Sequence, residues 1–386
     1  IAVALSRRDP TLRCDECEEI FAKVADIFTV DLVESVHLNW ALFGPELPRG
    51  VLQFENLRFL HVDGNDLVVL PDEIGSLSAI VVFTCRANEL TALPESIGAL
   101  TCLEHFDCSG NSLAALPMSI GELRRLEHLN VSVNVLVALP ESIGGVTALT
   151  ELDVSGNAIR ALPHSLGALS ALVDVDLSDN PVGMALPRSM RALAKLRCLT
   201  LGGGDAVGIA AEGLLLPEWL HELRALTTLN LSCAALVDDA VPIFGGRFPL
   251  LVELDLSSNR LSTVPEALSA MGGMLVKLDL AMNAFCGELV LGPEAIDALT
   301  NLERLDLSCN RIERFPQLGA LVALTRLDLS ENVFHVVPTS IGALSHLEDL
   351  NLSDNRLDGL PALAALTALT SLDLGGNAFH TLPTSI

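Results

Sequence analysis

The sequence has no tyrosine and only two tryptophans, and aromatic residues make up 4% of its 386 residues, although half of the residues are hydrophobic. The core must therefore be built mainly from Leu, Ile, Val and Ala. Basic residues are also scarce, because 23 Lys and Arg stand against 49 Asp and Glu, for a formal net charge of −26. Nucleic acids and anionic membranes need basic surfaces, so we expect neither as a partner. We expect instead another protein with a basic surface.

The sequence also lacks long apolar runs and a recognisable signal peptide, so no membrane association is predicted. It begins at Ile1 rather than Met and ends at Ile386 inside a repeat, which suggests a fragment of a longer protein. The nine cysteines are odd in number and show no regular spacing. This is typical of reduced thiols rather than disulfides, and it favours a cytoplasmic location. The oligomeric state is left open by the sequence.

One sequence pattern recurs through most of the chain. The segment LPESIG at residues 93–98 returns as LPMSIG at residues 116–121, and between these copies lies FDCSGN at residues 106–111. The template L-x-x-L-x-L-x-x-N-x-L fits fourteen registers, and the first five steps between them are 23 residues each. The registers start at Leu57, Ile80, Leu103, Leu126, Leu149, Leu172, Leu196, Leu226, Leu251, Leu275, Leu302, Leu324, Leu347 and Leu369. Repeats of this length with this pattern predict a solenoid of short strands and return segments.

Each position of the repeat has a physical role. Alternation predicts that Phe106 and Cys108 point into the core while His105 and Asp107 face solvent. Asn111 begins the turn, and 12 of the 14 registers have Asn there. Its amide can satisfy backbone groups at the strand end, so stacked asparagines should form a ladder. The proline and glycine of the LPESIG half permit a tight return.

The LP-x-x-I-G-x-L-x-x-L segments, clearest at residues 93–103, 116–126, 139–149 and 337–347, resemble intracellular leucine-rich repeats of the Ras-group type. Relatives of this type include Ras-binding scaffolds, Scribble-like polarity proteins and plant Ras-group repeat proteins. The resemblance covers residues 57–386 and implies an α/β leucine-rich repeat solenoid. Such a solenoid is a curved horseshoe with a parallel sheet on its concave face and short 3₁₀ or irregular returns on its convex face.

The predicted domain organisation has two parts. Residues 1–50 are expected to form an N-terminal helical cap with a degenerate first repeat, because Cys17, Ile20, Phe21, Val24, Ile27 and Phe28 keep helical spacing. Residues 51–386 are expected to form a domain of about 14 repeats, irregular at residues 196–251 and truncated at its C-terminus.

No catalytic motif is present, and the sequence predicts no enzyme activity, cofactor or metal. The C-x-x-C pair Cys14 and Cys17 has no nearby second pair and is interpreted as packing, with a zinc site shared with upstream residues as an alternative. His105 and His128 occupy the same outward position on neighbouring strands, but no third metal ligand is fixed beside them. The glycines at residues 202–208 do not complete a dinucleotide fingerprint, because position 207 is Val207.

The candidate partner-binding residues lie on the predicted concave face: His105, Asp107, His128, Asn130, Glu151, Asp153, Asp174 and Asp176. A mostly acidic column, here called the aspartate column, recurs along the strands at Asp107, Asn130, Asp153, Asp176, Asp255, Asp279, Asp306, Asp328 and Asp373. Lys277, Arg304 and Arg326 are expected to neutralise its later part. Glu151 and Asp174 are instead acidic beside Asp153 and Asp176, so this stretch should dock a basic partner. Alternatively, the aspartates are only repeat consensus, or the four carboxylates hold calcium.

The leading functional hypothesis is a protein–protein interaction module, a scaffold or the recognition arm of an intracellular signalling protein. By resemblance, a small GTPase or kinase assembly is a plausible class of partner. A second hypothesis is the substrate-recognition region of a larger ubiquitin ligase, kinase or phosphatase. A third is an extracellular receptor or surface antigen, which would need a signal peptide and paired cysteines.

Overall fold

The structure, a computed structural model, describes residues 2–4, 32–41, 44–181, 186–203, 214, 216–238, 248–265, 268, 271, 273–288, 298–314 and 318–380. The chain divides into two compact units, Ile1–Leu196 and Arg197–Ile386. Each unit is a stack of repeats of one short strand and one return segment, the predicted leucine-rich repeat solenoid with a parallel sheet.

The sheet of the first unit is built from strands of three residues. These are β1 (Ala2–Ala4), β2 (Ser35–His37), β3 (Phe59–His61), β4 (Val82–Thr84), β5 (His105–Asp107), β6 (His128–Asn130), β7 (Glu151–Asp153) and β8 (Asp174–Asp176). Consecutive strands pair in parallel without register slips, so that His105 lies opposite His128 and His128 opposite Glu151. Because the register is kept, equivalent positions of the repeats form continuous rows across the unit.

From β2 to β8, each strand of the first unit buries its middle side chain and leaves the two flanking side chains partly or fully exposed. In β5, Phe106 is buried while His105 and Asp107 are partly exposed, as the alternation predicts. The Phe106 ring stacks on Phe83 of β4, with 5.4 Å between the ring centroids. Cys108 is fully buried below the strand. The inward positions are therefore committed to packing, which leaves the outward positions free to carry function.

The predicted asparagine ladder is present in both units. Asn134 donates from Nδ2 to the carbonyl oxygens of Val131 at 3.0 Å, Ser132 at 3.1 Å and, one repeat earlier, Cys108 at 3.1 Å. Its Oδ1 accepts the N–H of Leu113 at 2.9 Å. The described ladder asparagines are Asn65, Asn88, Asn111, Asn134, Asn157, Asn180, Asn259, Asn283, Asn310, Asn332, Asn355 and Asn377. Each one satisfies buried backbone groups of two consecutive repeats.

The return segments are 3₁₀ turns that begin after a proline. Pro94 has φ −70° and ψ 150°, which directs the chain into the turn Glu95–Ala99. A Cβ atom placed on Gly98 would lie 2.6 Å from both the carbonyl oxygen and the Cβ of Ser119, so the small residues of the LP-x-S-I-G motif allow neighbouring turns to approach closely. The turns lie at Arg49–Gln53, Asp72–Ser76, Glu95–Ala99, Met118–Glu122, Glu141–Gly145, His164–Ala168, Arg188–Ala192, Glu218–Glu222 and Thr339–Ala343.

The second unit contains further parallel strands and a smaller two-stranded sheet. The main strands are β9 (Cys198–Thr200), β10 (Thr228–Asn230), β11 (Glu253–Asp255), β12 (Lys277–Asp279), β14 (Arg304–Asp306), β16 (Arg326–Asp328), β17 (Asp349–Asn351) and β18 (Ser371–Asp373). A separate pair of parallel strands, β13 (Cys286–Glu288) and β15 (Arg311–Arg314), follows the turns of two repeats. The repeat template did not predict this second sheet.

Several predicted features lie outside the described residues. They are the helix of the N-terminal cap over residues 17–28, the Cys14 and Cys17 pair, and the glycine-rich stretch at 204–213. In the described part of residues 1–50, β2 pairs with β3, and Ser35 lies opposite Phe59. The first strand of the unit, β1, pairs in turn with β2.

Candidate functional site

All eight predicted site residues line one depression on the open face of the first unit's sheet. The volume of this depression is about 680 Å³. A second depression, on the strands of the second unit, has a volume of about 460 Å³. The predicted residues contribute two adjacent outward rows from β5 to β8: His105, Asp107, His128, Asn130, Glu151, Asp153, Asp174 and Asp176. The floor is formed by strand residues such as Phe106 and Leu129. The depression is therefore broad and shallow, with polar side chains standing on an apolar base.

Two histidines stand at one side of this depression. His105 and His128 stack with 4.3 Å between the ring centroids and an interplanar angle of 9°. Nδ1 of His128 lies 2.6 Å from Oε2 of Glu151 on the next strand. Glu151 is thus held by His128, and it gains a cationic partner whenever that ring is protonated. The sequence analysis did not predict this contact between His128 and Glu151.

The aspartate column has a structural role that the sequence analysis missed. Oδ1 of Asp153 accepts the Ser155 N–H at 2.9 Å and the Ser155 hydroxyl at 2.6 Å. Asp107 and Asp176 hold Ser109 and Ser178 in the same way. The signal was present in the sequence as a serine two residues after each of these three aspartates. Oδ1 of each of these aspartates therefore helps to end its strand by accepting hydrogen bonds from the serine two residues later.

Negative charge accumulates at the other side of the depression. Glu151, Asp153, Asp174 and Asp176 come from β7 and β8, and we call them the acidic corner. Partial burial raises the pKa of Asp174, and repulsion from Glu151, Asp176 and Asp153 raises it further. No Lys or Arg forms an ion pair with Asp153, Asp174 or Asp176 in the described part of the chain. A cationic group brought to this corner would relieve the repulsion.

In the described part of the chain, no group of three or more His, Cys, Asp or Glu side chains is arranged to hold a metal ion. The calcium alternative for the acidic corner therefore finds no support in its geometry.

On the outward face of the second unit's strands, the pairing of charged side chains differs from the pairing expected from the sequence. Lys277 forms an ion pair with Glu253 of its own row rather than with the aspartate column. Burial raises the pKa of Asp279 to about 6, and repulsion from Asp306, Asp255 and Asp328 contributes to the rise. The prediction that Lys277, Arg304 and Arg326 neutralise this column is therefore wrong at Asp279. Lys277, Arg304 and Arg326 lie two residues before Asp279, Asp306 and Asp328 on the same strands. The ionised form of Asp279 therefore remains disfavoured by burial and by the neighbouring aspartates.

Asp279→Asn should make the protein more stable at pH 7 and above. A raised pKa in the folded state means that Asp279 favours folding while it is protonated, and this contribution is lost as the pH rises through about 6. We expect a gain in the free energy of unfolding of about 1 kcal/mol at pH 8, a figure reduced for partial exposure, and almost none at pH 4. Urea unfolding at both pH values measures the difference.

The asparagine replacement at residue 279 keeps the hydrogen bond that Oδ1 accepts from the Ala281 N–H, as Asn230 shows with Ser232 in the same column. Asp373→Asn, at an exposed position of that column, serves as the control and should change little. An equal gain for Asp279→Asn at pH 4 and pH 8 would contradict the electrostatic explanation.

A serine–histidine contact was also missed by the sequence analysis. The Ser35 hydroxyl lies 2.7 Å from Nε2 of His37, and the His37 ring stacks on His61 with 4.5 Å between centroids. His61 in turn contacts the Thr84 hydroxyl at 2.9 Å. The described residues place no hydrogen-bonding group on Nδ1 of His37, which a nucleophile-activating histidine needs for its orientation. The contact between Ser35 and His37 therefore belongs to the polar outward face of the strands.

Comparison with known families agrees with the repeat geometry. A model described as a leucine-rich repeat region matches residues 83–158, and leucine-rich repeat models match residues 250–271, 298–313 and 323–379. No curated protein matches the sequence.

Solved structures of similar architecture come from several organisms. A leucine-rich repeat protein of Leptospira interrogans is 27% identical, covering 94% of this chain and 88% of its own, with a TM-score of 0.77. Toll of Drosophila, solved in a complex with Spätzle, is 20% identical over 92% of this chain and 48% of its own, with a TM-score of 0.73. The Arabidopsis receptor kinase HAESA, solved with the peptide hormone IDA and the co-receptor SERK1, is 23% identical over 98% of this chain and 65% of its own, with a TM-score of 0.61.

The repeat geometry and these matches identify a leucine-rich repeat protein. Folds of this class generally serve as protein–protein interaction modules and are typically non-catalytic. Among the helices of the described residues, none is both long and apolar enough to cross a membrane.

Proposed function

We propose that this chain is a protein–protein interaction module that binds a basic partner at the depression of the first unit. The observation that carries the proposal is the acidic corner, where three neighbouring carboxylates help to raise the pKa of Asp174. An open surface of this breadth suits a protein surface better than a small molecule, which favours enclosed pockets. The module would act as a scaffold or recognition arm and would itself perform no catalysis.

The structural role of the aspartate column does not account for its charge. Asn130 holds Ser132 as the aspartates hold their serines, with Oδ1 accepting the Ser132 N–H at 2.9 Å and the hydroxyl at 2.7 Å. An uncharged amide therefore suffices to end the strand. The carboxylates of Asp153 and Asp176 add charge that this contact does not require, and that charge is free to attract a basic partner.

A variant with Glu151→Gln, Asp153→Asn, Asp174→Asn and Asp176→Asn should lose affinity for basic ligands. We expect a decalysine peptide to bind the native protein at low salt and the variant at least about tenfold more weakly, because the attraction depends on these charges. Isothermal titration calorimetry measures both affinities, and circular dichroism checks the fold.

The matched control changes four exposed acidic residues of the same unit outside the depression, as Glu55→Gln, Asp66→Asn, Asp72→Asn and Glu73→Gln. It removes the same net charge and should retain most of the affinity. Equal losses in both variants would show that only the overall charge matters, and this would contradict a site at the depression.

We further propose that the protein works in the cytoplasm, within signalling assemblies of the kind served by Ras-group repeat proteins. The seven described cysteines are free thiols, and burial beside Cys108 raises the pKa of the Cys85 thiol. The Asn-x-Ser sequences at Asn130, Asn230 and Asn351 place their amides against the following serines, where a glycan would cover the open faces.

Thiol titration of the unfolded protein, without reductant, tests the proposed location. We expect nine free thiols for the nine cysteines of the sequence. One free thiol or none would instead favour an extracellular receptor or surface antigen.

A further inference from the structure

An exposed apolar cluster lies beside the depression of the first unit. Val133, Val135 and Val137 follow β6, and their exposed fractions are 62%, 52% and 63%. We call these three residues the valine patch. They occupy alternate positions of one segment, and the buried residues Asn134 and Leu136 lie between them. Isolated exposed valines are ordinary, but a local cluster on a chain of charge −26 indicates a contact surface.

The backbone at Val133 is strained. Its φ is +52°, in the left-handed region where the two methyl groups of valine are disfavoured. The equivalent positions in the neighbouring repeats are Gly110 and Gly156, with φ of +64° and +61°. Glycine adopts this conformation without strain. Other repeats also hold a non-glycine residue with a positive φ at this position, such as Ala87 and Asp179, so Val133 differs from its two neighbours rather than from the repeat as a whole.

The neighbours of the valine patch leave it accessible. Ser112 and Ala158 occupy the positions equivalent to Val135 in the adjacent repeats, and Ala114 occupies the position equivalent to Val137. All are small, so the valines project beyond the surface around them. The patch ends on one side at Arg160, the equivalent of Val137 in the next repeat. A bound partner therefore needs apolar side chains only where it covers the segment from Val133 to Val137.

Val133 of the valine patch is hydrogen-bonded to the segment that follows β7. The Val133 N–H donates to the carbonyl oxygen of Ser155 at 2.8 Å, and Ser155 is the residue that Asp153 holds. Gly156 lies against Val133, since a Cβ atom on Gly156 would come within 3.4 Å of Cγ2 of Val133. Val133, the first residue of the valine patch, therefore lies beside the end of β7, the strand that carries Glu151 and Asp153.

We propose that the valine patch and the acidic corner together bind a basic amphipathic helix of a partner protein. Its apolar face covers Val133, Val135 and Val137, and its Lys or Arg side chains reach Asp153, Asp174 and Asp176. An amphipathic helix carries an apolar face beside a basic face, which would match the valine patch and the acidic corner. The proposal rests on the proposed function, and it adds the secondary structure and the apolar half of the partner.

The test compares three peptide probes by fluorescence anisotropy. The first is a short Leu/Lys peptide with its leucines at helical spacing, the second is a scrambled peptide of the same composition, and the third is decalysine. The variant is Val133→Gly, Val135→Ser and Val137→Thr. Each new residue already occupies the equivalent position in another repeat: Gly156 and Ser112 in adjacent repeats, and Thr91 two repeats earlier. The control is Val336→Ser, which changes a valine with 68% exposure in the second unit.

We expect the amphipathic peptide to bind the native protein more tightly than the scrambled peptide does. The valine variant should weaken amphipathic-peptide binding at least about tenfold, because three apolar contacts are lost, and leave decalysine binding within about twofold. Native-like affinity of the valine variant for the amphipathic peptide would overturn the inference. So would dimerisation of the native chain that the valine variant abolishes, since the patch would then serve a second copy.

The two proposals fail in different ways. If neutralising the acidic corner leaves decalysine binding unchanged, the proposed function is wrong. If decalysine binding depends on the acidic corner but amphipathic-peptide binding ignores the valine patch, only the present inference is wrong.

Discussion

Asn134→Ala should lower the free energy of unfolding by about 3–5 kcal/mol, a large effect for a single polar residue. Asn134 is 7% exposed, and its amide serves three carbonyl oxygens and the Leu113 N–H. Alanine would leave these groups without a partner in an interior that water reaches poorly. Each unsatisfied buried group costs roughly 1–3 kcal/mol, and partial hydration of the turn reduces the sum. Urea unfolding followed by circular dichroism measures the loss.

Ser112→Ala is the control for Asn134→Ala, because Ser112 is an exposed residue of the preceding turn. Its effect should stay within about 0.5 kcal/mol. A loss of less than about 1 kcal/mol for Asn134→Ala would mean that water replaces the amide, and the ladder would then contribute little to stability.

Gly121→Ala should lower the free energy of unfolding by about 3 kcal/mol, at the upper end for overpacking. The new Cβ would lie 2.3 Å from the carbonyl oxygen of Ser142 in the next 3₁₀ turn, so the two turns must separate. The glycine is required here by the approach of two backbones, since Gly121 does not have a positive φ.

Gly342→Ala provides a matched control for Gly121→Ala. Gly342 has the same place in the turn Thr339–Ala343, yet a Cβ there would meet only the Cβ of Ala365, at 3.7 Å. We expect this substitution to be neutral or to stabilise by up to about 1 kcal/mol, because alanine restricts the unfolded chain. Similar losses at both glycines would contradict the explanation by close approach.

The repeat framework could be predicted from the sequence because each of its rules is local. The alternation in HFDC placed Phe106 and Cys108 inside, and the asparagine after each strand predicted the ladder. The proline and glycine of LPESIG predicted the tight turn that the structure shows as Glu95–Ala99. The register followed as well, because a constant repeat length keeps equivalent residues side by side, and this places the eight candidate site residues on one face.

Contacts between side chains of different repeats could not be predicted in the same way. His128 holding Glu151 and Lys277 holding Glu253 depend on rotamers, which the repeat pattern does not specify. The positive φ of Val133 was hidden because the template treats that position as variable. The small sheet of β13 and β15 arises in turns that depart from the template, and a pattern matched to the main strands could not show it.

The asparagine ladder implies how the first unit opens in solution. The amides of Leu90, Leu113 and Leu136 each donate to the asparagine of the following repeat, Asn111, Asn134 and Asn157. Opening of one repeat breaks both the bond that its asparagine accepts from the preceding repeat and the bond that its own leucine amide donates to the following one. Exchange of these amides should therefore occur through shared openings that spread from neighbour to neighbour, so that the repeats behave as a linear chain of coupled folding units.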